Sequence, residues 1–187
     1  MLKKYKEGSS PTKSIQGVLI ELFGIGIVIT GGSGIGKSEC GLELVTRGHR
    51  LVADDSVDIR KAPDGTLYGE CPDVTRHFME IRGIGVVNVK SLFGPGAVSD
   101  GVSVDIIVEL IRWEDWPDRD RLGLEEQYCH ILAVDLPMVR LPVRSGGNMA
   151  TVIEIVARNH ILKKRGYNAS MDLIKKVSDK IRKTEKR

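Results

Sequence analysis

The sequence predicts an α/β domain with a mixed central sheet and helices closing its C-terminal end. Three observations carry that reading. Short apolar runs rich in Val, Ile and Leu recur along the chain and are bounded by glycine. One of them leads into a glycine-rich loop that is followed at once by a helical pattern. From Met149 onward the pattern becomes that of two helices. The chain has 187 residues, which fits one domain, with 41% hydrophobic and 28% charged residues. Aromatics are only 5%, so Val, Ile and Leu must fill the core, as in parallel or mixed sheets.

Residues 1–13 carry Gly, Ser, Pro and several Lys and read as a flexible leader. Residues 14–187 are then the domain, with 167–187 a basic C-terminal helix. Gly17–Phe23 and Gly26–Thr30 read as strands, the second buried on both faces. Ser38–Arg47 has helical spacing, and Gly48 sits where a C-terminal glycine cap belongs. Arg50–Ala53 is a strand leading into Asp54 and Asp55. Val57–Lys61 and Thr66–Gly69 flank Pro63-Asp64-Gly65, a hairpin signature. Val102–Trp113 and Tyr128–Val143 supply further strands, and the polar stretch Trp113–Gly123 is a loop. Arg144–Asn148 is a turn. Helices follow at Met149–Arg165 and from Ala169 to about Lys183, with Gly166 between them and Asn168 or Ser170 as the second helix's cap.

Several function classes are excluded. No apolar stretch reaches bilayer-spanning length, and no apolar region follows the N-terminal lysines, so neither a membrane segment nor a signal peptide is expected. Cys40, Cys71 and Cys129 form no CxxC pair, which points to reduced thiols in a cytoplasm rather than disulfides or zinc. His49, His77, His130 and His160 have no metal-ligand spacing and read as structural or surface residues. Charge is uneven. Residues 158–187 hold 11 basic and 3 acidic residues, a local +8, against 17 basic and 22 acidic in the remainder, or −5. Such a tail can bind an acidic protein or a neighbouring subunit; no nucleic-acid motif accompanies it.

Gly31-Gly32-Ser33-Gly34-Ile35-Gly36-Lys37-Ser38 matches the P-loop pattern GxxxxGK[ST]. Glycines allow the backbone N–H groups to turn inward on an anion. The following helix directs its positive dipole end at the phosphates. Lys37 supplies charge at the β and γ oxygens, and the Ser38 hydroxyl is a hard ligand for Mg²⁺. The cofactors implied are therefore ATP and Mg²⁺. Asp54 and Asp55 end a strand soon after the P-loop helix, where P-loop enzymes keep a metal-linked acid. Alternation along an extended chain would turn one to the metal and the other to an acceptor hydroxyl, whose proton it can take. Glu80 and Arg82 sit beside two glycines and can serve metal and phosphate; from spacing alone, a surface ion pair on a loop is the plainer reading. Arg119 and Arg121 flank Asp120 in the polar loop, where an arginine can steady developing charge or simply be solvated.

These segments resemble a known family. Gly31–Ser38, His49–Asp55 and Met79–Asn88, extended by Asp120–Gly123 and Pro142–Asn148, resemble the catalytic domain of HPr kinase/phosphorylase. The likeness spans roughly Ser14–Asp172. The P-loop is shared by many families, whereas Glu-Ile-Arg-Gly-Ile-Gly behind Ala-Asp-Asp is far more specific. The resemblance implies a P-loop kinase-like domain of a bacterial cytoplasmic enzyme, assembled as a hexamer. Its partner would be HPr, phosphorylated by ATP on a serine, with phosphorolysis of that phosphoserine by inorganic phosphate in reverse. By position, Lys37 would neutralise phosphate charge, Ser38 and Glu80 would hold Mg²⁺, Asp55 would be the base with Asp54 beside it, and Arg121 would stabilise the transferring group. Arg82–Asn88 would help shape the site. Three positions depart from the family's usual residues: Gln16 replaces His, Gly32 replaces Asp, and Gly147 replaces Arg. They bear chiefly on the reverse reaction. Two alternatives stand beside this reading: a P-loop kinase with another acceptor, and an ATP-sensing module with degraded catalysis.

Overall fold

A computed structural model describes residues 11–116, 126–144 and 146–184. In chain order it contains β1 (Thr12–Gln16), β2 (Val18–Leu22), β3 (Ile25–Gly31), α1 (Lys37–Thr46), β4 (Arg50–Ala53), β5 (Ser56–Lys61) and β6 (Leu67–Glu70). There follow β7 (Phe78–Ile81), β8 (Gly85–Asn88), α2 (Val89–Phe93), β9 (Gly101–Arg112), β10 (Gln127–Ile131), β11 (Val134–Val143), α3 (Met149–Lys164) and α4 (Ala169–Thr184). Of the expected leader, residues 1–10 lie outside the described residues, and Thr12 and Lys13 belong to β1, paired with β5.

The large sheet runs β1-β5-β6-β9-β3-β2-β4, and β11, with β10 at its side, also pairs with β9. It is mixed: β3 and β11 lie parallel to β9, while the other pairs are antiparallel. Phe23 and Gly24 close the β2–β3 hairpin with positive φ at both positions, as a two-residue turn of matching twist requires. Leu132 and Ala133 do the same between β10 and β11, dividing the expected Tyr128–Val143 run into two strands. Ile27, Val28 and Ile29 of β3 are fully buried, as its unbroken apolar run predicts.

Two apolar layers sandwich this sheet. On one face Val18, Ile20 and Ile29 pack with Leu44 of α1 and Ile153 of α3. On the other, Leu19 and Val28 pack with Ile59, Leu67 and Ile131, where the antiparallel strands curl over. The neighbours Leu19 and Ile20 point to opposite layers, following the strand period of two. β9 breaks that rule once. Val102 and Val104 join one layer, yet Ile106, Val108 and Leu110 join the other. The cause is a bulge: Gly26 pairs with Val104 and Ile27 with Ile106, leaving Asp105 without a partner on β3. The Asp105 carboxylate accepts from the Gly26 N–H at 3.2 Å and pairs with Lys164 of α3 at 2.6 Å. The bulge therefore re-phases β9 and ties the C-terminal end of α3 to the sheet.

Both long helix ends follow the sequence. Gly48 donates to Val45 and His49 to Leu44, a Schellman closure of α1, with Gly48 at φ 93°. Gly166 and Tyr167 repeat it at α3. Asn168, not Ser170, caps α4, accepting from the N–H groups of Ser170 and Met171. Arg47 joins α1 to α3 through Glu154, Thr151 and Asn148, and His49 adds a 2.9 Å contact to Glu154. Among the described residues no helix is long and apolar enough to cross a membrane.

Candidate active site

The site is built at the C-terminal ends of β3 and β4, where open α/β sheets hold ligands. Gly31 ends β3 at φ 138°, and a Cβ there would lie 2.5 Å from the Leu110 carbonyl oxygen of β9. Only glycine lets the loop leave the sheet so close to its neighbour. Gly34 and Gly36 also have positive φ, at 72° and 98°. Gly36 is the N-cap of α1 and offers no side chain, so the first turn's N–H groups face the loop. Lys37 folds back, its ammonium donating to the carbonyls of Gly31 and Gly32 at 3.0 Å each. The eight expected residues, Gly31, Gly32, Ser33, Gly34, Ile35, Gly36, Lys37 and Ser38, thus wrap one helix N-terminus.

Asp54 is the junction of the site. It is buried, with 5% exposure. One carboxylate oxygen accepts from the Ser38 hydroxyl at 2.9 Å, and the other accepts from the Glu80 N–H at 3.1 Å. Burial pushes its carboxyl above the ordinary value, while the Ser38 and Glu80 hydrogen bonds pull the other way. Three segments distant in sequence therefore meet at one side chain.

Asp55 points outward and is exposed. Strand alternation does not produce this, contrary to the expectation above, because β4 ends at Ala53. Asp55 has φ 67°, and the Ser56 N–H bonds back to the Asp54 carbonyl at 2.9 Å. That is a γ-turn of the rare, strained hand. The Asp55 carbonyl accepts from Gly17 at 3.0 Å, and Gln16 pairs with Ser56 in the β1–β5 register. The position where the family usually has His thus adjoins the Asp55 turn.

Glu80 and Arg82 are not a loop ion pair. They belong to the β7–β8 hairpin, where Met79 and Ile81 point into the core and Glu80 is exposed. The turn is Ile81–Ile84, closed by the Ile84 N–H to the Ile81 carbonyl at 3.0 Å, with Gly83 at φ 84°. The glycine pair was the available signal for this hairpin; its docking on Asp54 carried no local signal. Arg121, with Asp120, lies outside the described residues. An open groove of about 490 Å³ runs from Gly32 and Ile35 along Glu109, Ile111 and Arg112 at the end of β9.

The donor set fits a nucleoside triphosphate and a hard cation. Backbone N–H groups, a helix N-terminus and Lys37 suit phosphate. The Ser38 hydroxyl and Glu80 carboxylate suit a Mg²⁺ that takes its other ligands from phosphate and water.

The chain is similar to known proteins over most of its length. Residues 7–177 match the family model described as the HPr Serine kinase C-terminal domain. The HPr kinase/phosphorylase of Caldanaerobacter subterraneus subsp. tengcongensis is 48% identical over 175 residues, 94% of this chain and 57% of that protein. That of Geobacillus thermodenitrificans is 45% identical over 186 residues, 99% of this chain and 60% of that protein. The chain therefore spans somewhat more than half the length of these relatives. The solved Hpr(Ser) kinase/phosphatase of Coxiella burnetii superposes with a TM-score of 0.78 at 34% identity, covering 86% of this chain and 98% of that one. The architecture is that of a P-loop kinase-like domain with a mixed sheet and C-terminal helices. With a matching model over residues 7–177, the chain belongs to the HPr serine kinase C-terminal domain family.

Proposed function

We propose that this chain is the catalytic unit of a protein-serine kinase that transfers the γ-phosphoryl group of ATP to a serine of HPr. The observation that carries the reading is the convergence of Ser38 and Glu80 on Asp54 behind the P-loop. A P-loop alone would suit many nucleotide-binding proteins; that junction adds cation donors and an adjacent exposed carboxylate. The relatives' names, HPr kinase/phosphorylase, supply the acceptor.

In this reading Lys37 exchanges its contacts with Gly31 and Gly32 for phosphate oxygens. Ser38 and Glu80 hold Mg²⁺, and Asp54 fixes the Ser38 hydroxyl and the backbone of residue 80. Bound Mg²⁺ would neutralise charge on the transferring phosphoryl group. Asp55 accepts the proton of the serine hydroxyl as that oxygen attacks, and returns a proton in the reverse direction. Arg121 stabilises the charge on the transferring group. Positioning and charge neutralisation supply most of the rate.

Residues 14–187 form this unit, with 167–187 as its basic C-terminal segment. It works as a homo-oligomer, a hexamer by family resemblance, in the cytoplasm, without nucleic acid or membrane as partner. Phosphorolysis by inorganic phosphate is the weaker direction, because Gln16 cannot titrate beside the Asp55 turn.

The test is incubation with labelled ATP, Mg²⁺ and HPr, followed by inorganic phosphate. Label on an HPr serine, then its release as pyrophosphate, is the expected result. ATP turnover with no label on HPr would mean another acceptor. MgATP binding with no turnover, unchanged by Asp55→Asn, would mean a sensing module.

A further inference from the structure

We propose that Arg82 is a second phosphate-binding cation of the P-loop, delivered by the β7–β8 hairpin and held at the loop by Asp54. The proposal rests on the kinase reading for its ligand, a triphosphate or pyrophosphate.

Position is the first support. The Arg82 guanidinium lies over Gly34, with Nη2 3.0 Å from the point a Cβ on Gly34 would occupy. Gly34 has φ 72°, within the stretch whose N–H groups form the anion nest. Lys37 covers Gly31 and Gly32 from its own helix. The two cations thus address different parts of one loop.

Available chemistry is the second support. Among the described residues Arg82 has no ion-pair or hydrogen-bond partner. Several other described arginines are engaged: Arg47 pairs with Glu43 and Glu154, Arg50 with Glu21, Arg76 with Asp73 and Arg140 with Glu109, while Arg60, Arg144 and Arg158 lie over aromatic rings. A guanidinium beside an anion nest with its donors unspent can take two oxygens of one phosphate through parallel N–H groups, a planar fork that lysine's single nitrogen does not offer.

Rigidity is the third support. Met79 and Ile81 are 1% and 7% exposed, so both core-facing side chains of β7 are seated. The Glu80 N–H is fixed to the buried Asp54 carboxylate, and the turn after Ile81 is closed by its own hydrogen bond. Arg82 follows directly on that anchored strand. A residue so held costs less to order on binding than a free surface arginine.

Asp54 therefore acts twice. It touches Ser38 with one oxygen, and with the other it positions the hairpin that carries Arg82.

The experiment is calorimetric titration of MgATP and of pyrophosphate into the wild type, Arg82→Gln, Arg82→Lys and the charge-matched control Lys176→Gln. HPr phosphorylation is measured in parallel. Arg82 is exposed, so the variants should melt with the wild type. Arg82→Gln should weaken both ligands about 10- to 100-fold, the usual effect of losing hydrogen bonds to a charged group. Arg82→Lys should recover part of the loss, and Lys176→Gln should leave the affinities for MgATP and pyrophosphate unchanged. Gly34→Ala, which displaces the guanidinium, should weaken pyrophosphate as well. If Arg82→Gln binds both ligands within about twofold of wild type, the proposal is overturned, whether or not HPr is phosphorylated. If affinity falls with Arg82→Gln but the wild type labels no HPr, the Arg82 site stands and the acceptor assignment falls. A wild type that binds neither ligand would overturn both.

Discussion

Replacing Asp55 by glycine should make the protein more stable while abolishing phosphoryl transfer. Asp55 holds φ 67° in a γ-turn between Asp54 and Ser56. A left-handed conformation costs an ordinary L-residue roughly 1–2 kcal/mol, and aspartate somewhat less. Glycine removes that cost but loses about 0.5–1 kcal/mol of extra freedom on folding. It also removes a neighbouring negative charge that disfavours ionised Asp54. The net gain is about 0.5–1 kcal/mol, or a rise of roughly 1–4 °C in Tm for a domain of this size. Asp55→Asn keeps the shape and the tolerance of positive φ while removing only the basic oxygen. It should leave Tm near wild type and lower label transfer to HPr by about 10²–10⁴. Melting followed by circular dichroism, with the transfer assay on the same samples, checks both arms. A lower Tm for Asp55→Gly would refute the strain argument. Near-normal transfer by Asp55→Asn would refute the role as base.

Asp54 gives a pH signature. Its carboxyl is raised above the ordinary 3.8 by burial, so the folded state holds the proton more tightly than the unfolded chain. Its contribution is then most favourable at low pH and is lost as pH rises through the raised value. Measured by melting from about pH 3 to about pH 7, Asp54→Asn should gain on the wild type as pH rises; a constant difference would show that this linkage is absent. Gly31→Ala should drive a Cβ against the Leu110 carbonyl and strain φ 138°. The expected cost is about 2–4 kcal/mol, or roughly 5–15 °C in Tm, and an unchanged melt would contradict the close approach. Gly32 has nothing within 4 Å of an added Cβ. Gly32→Asp should therefore change stability by less than about 0.5 kcal/mol and increase pyrophosphate release from phospho-HPr; unaltered release would remove Gly32 from the account of the reverse reaction. Deleting the residues beyond Asn168 removes α4, whose Leu173, Ile174, Val177 and Ile181 are all exposed. The fold should persist while oligomer size falls or the KM for HPr rises; no change in either would show that the basic tail serves neither purpose.

Several features follow from neighbours in the chain alone. The phosphate loop is eight consecutive residues, and glycine φ values, a following helix and one lysine act over that span alone. The helix ends at Gly48 and Gly166, the Pro63–Gly65 turn and the buried β3 run are equally local. The remaining features arise from contacts between segments distant in the chain. Asp54 joins Ser38, 16 residues before it, to Glu80, 26 residues after it, because β4 lies in the large sheet beside α1 and the separate β7–β8 hairpin packs Met79 and Ile81 into the same core. The sharp exit of Asp55 depends on the link between β1 and β2, where the Gly17 N–H binds the Asp55 carbonyl. The face switch along β9 depends on a bulge against Gly26, which the alternation of β9 cannot disclose. Arg82 looked like a loop arginine until its hairpin was docked on a buried carboxylate. Local periodicity fixes dihedral preferences; convergence of distant side chains is set by non-local packing, which seats the β7–β8 hairpin beside Asp54.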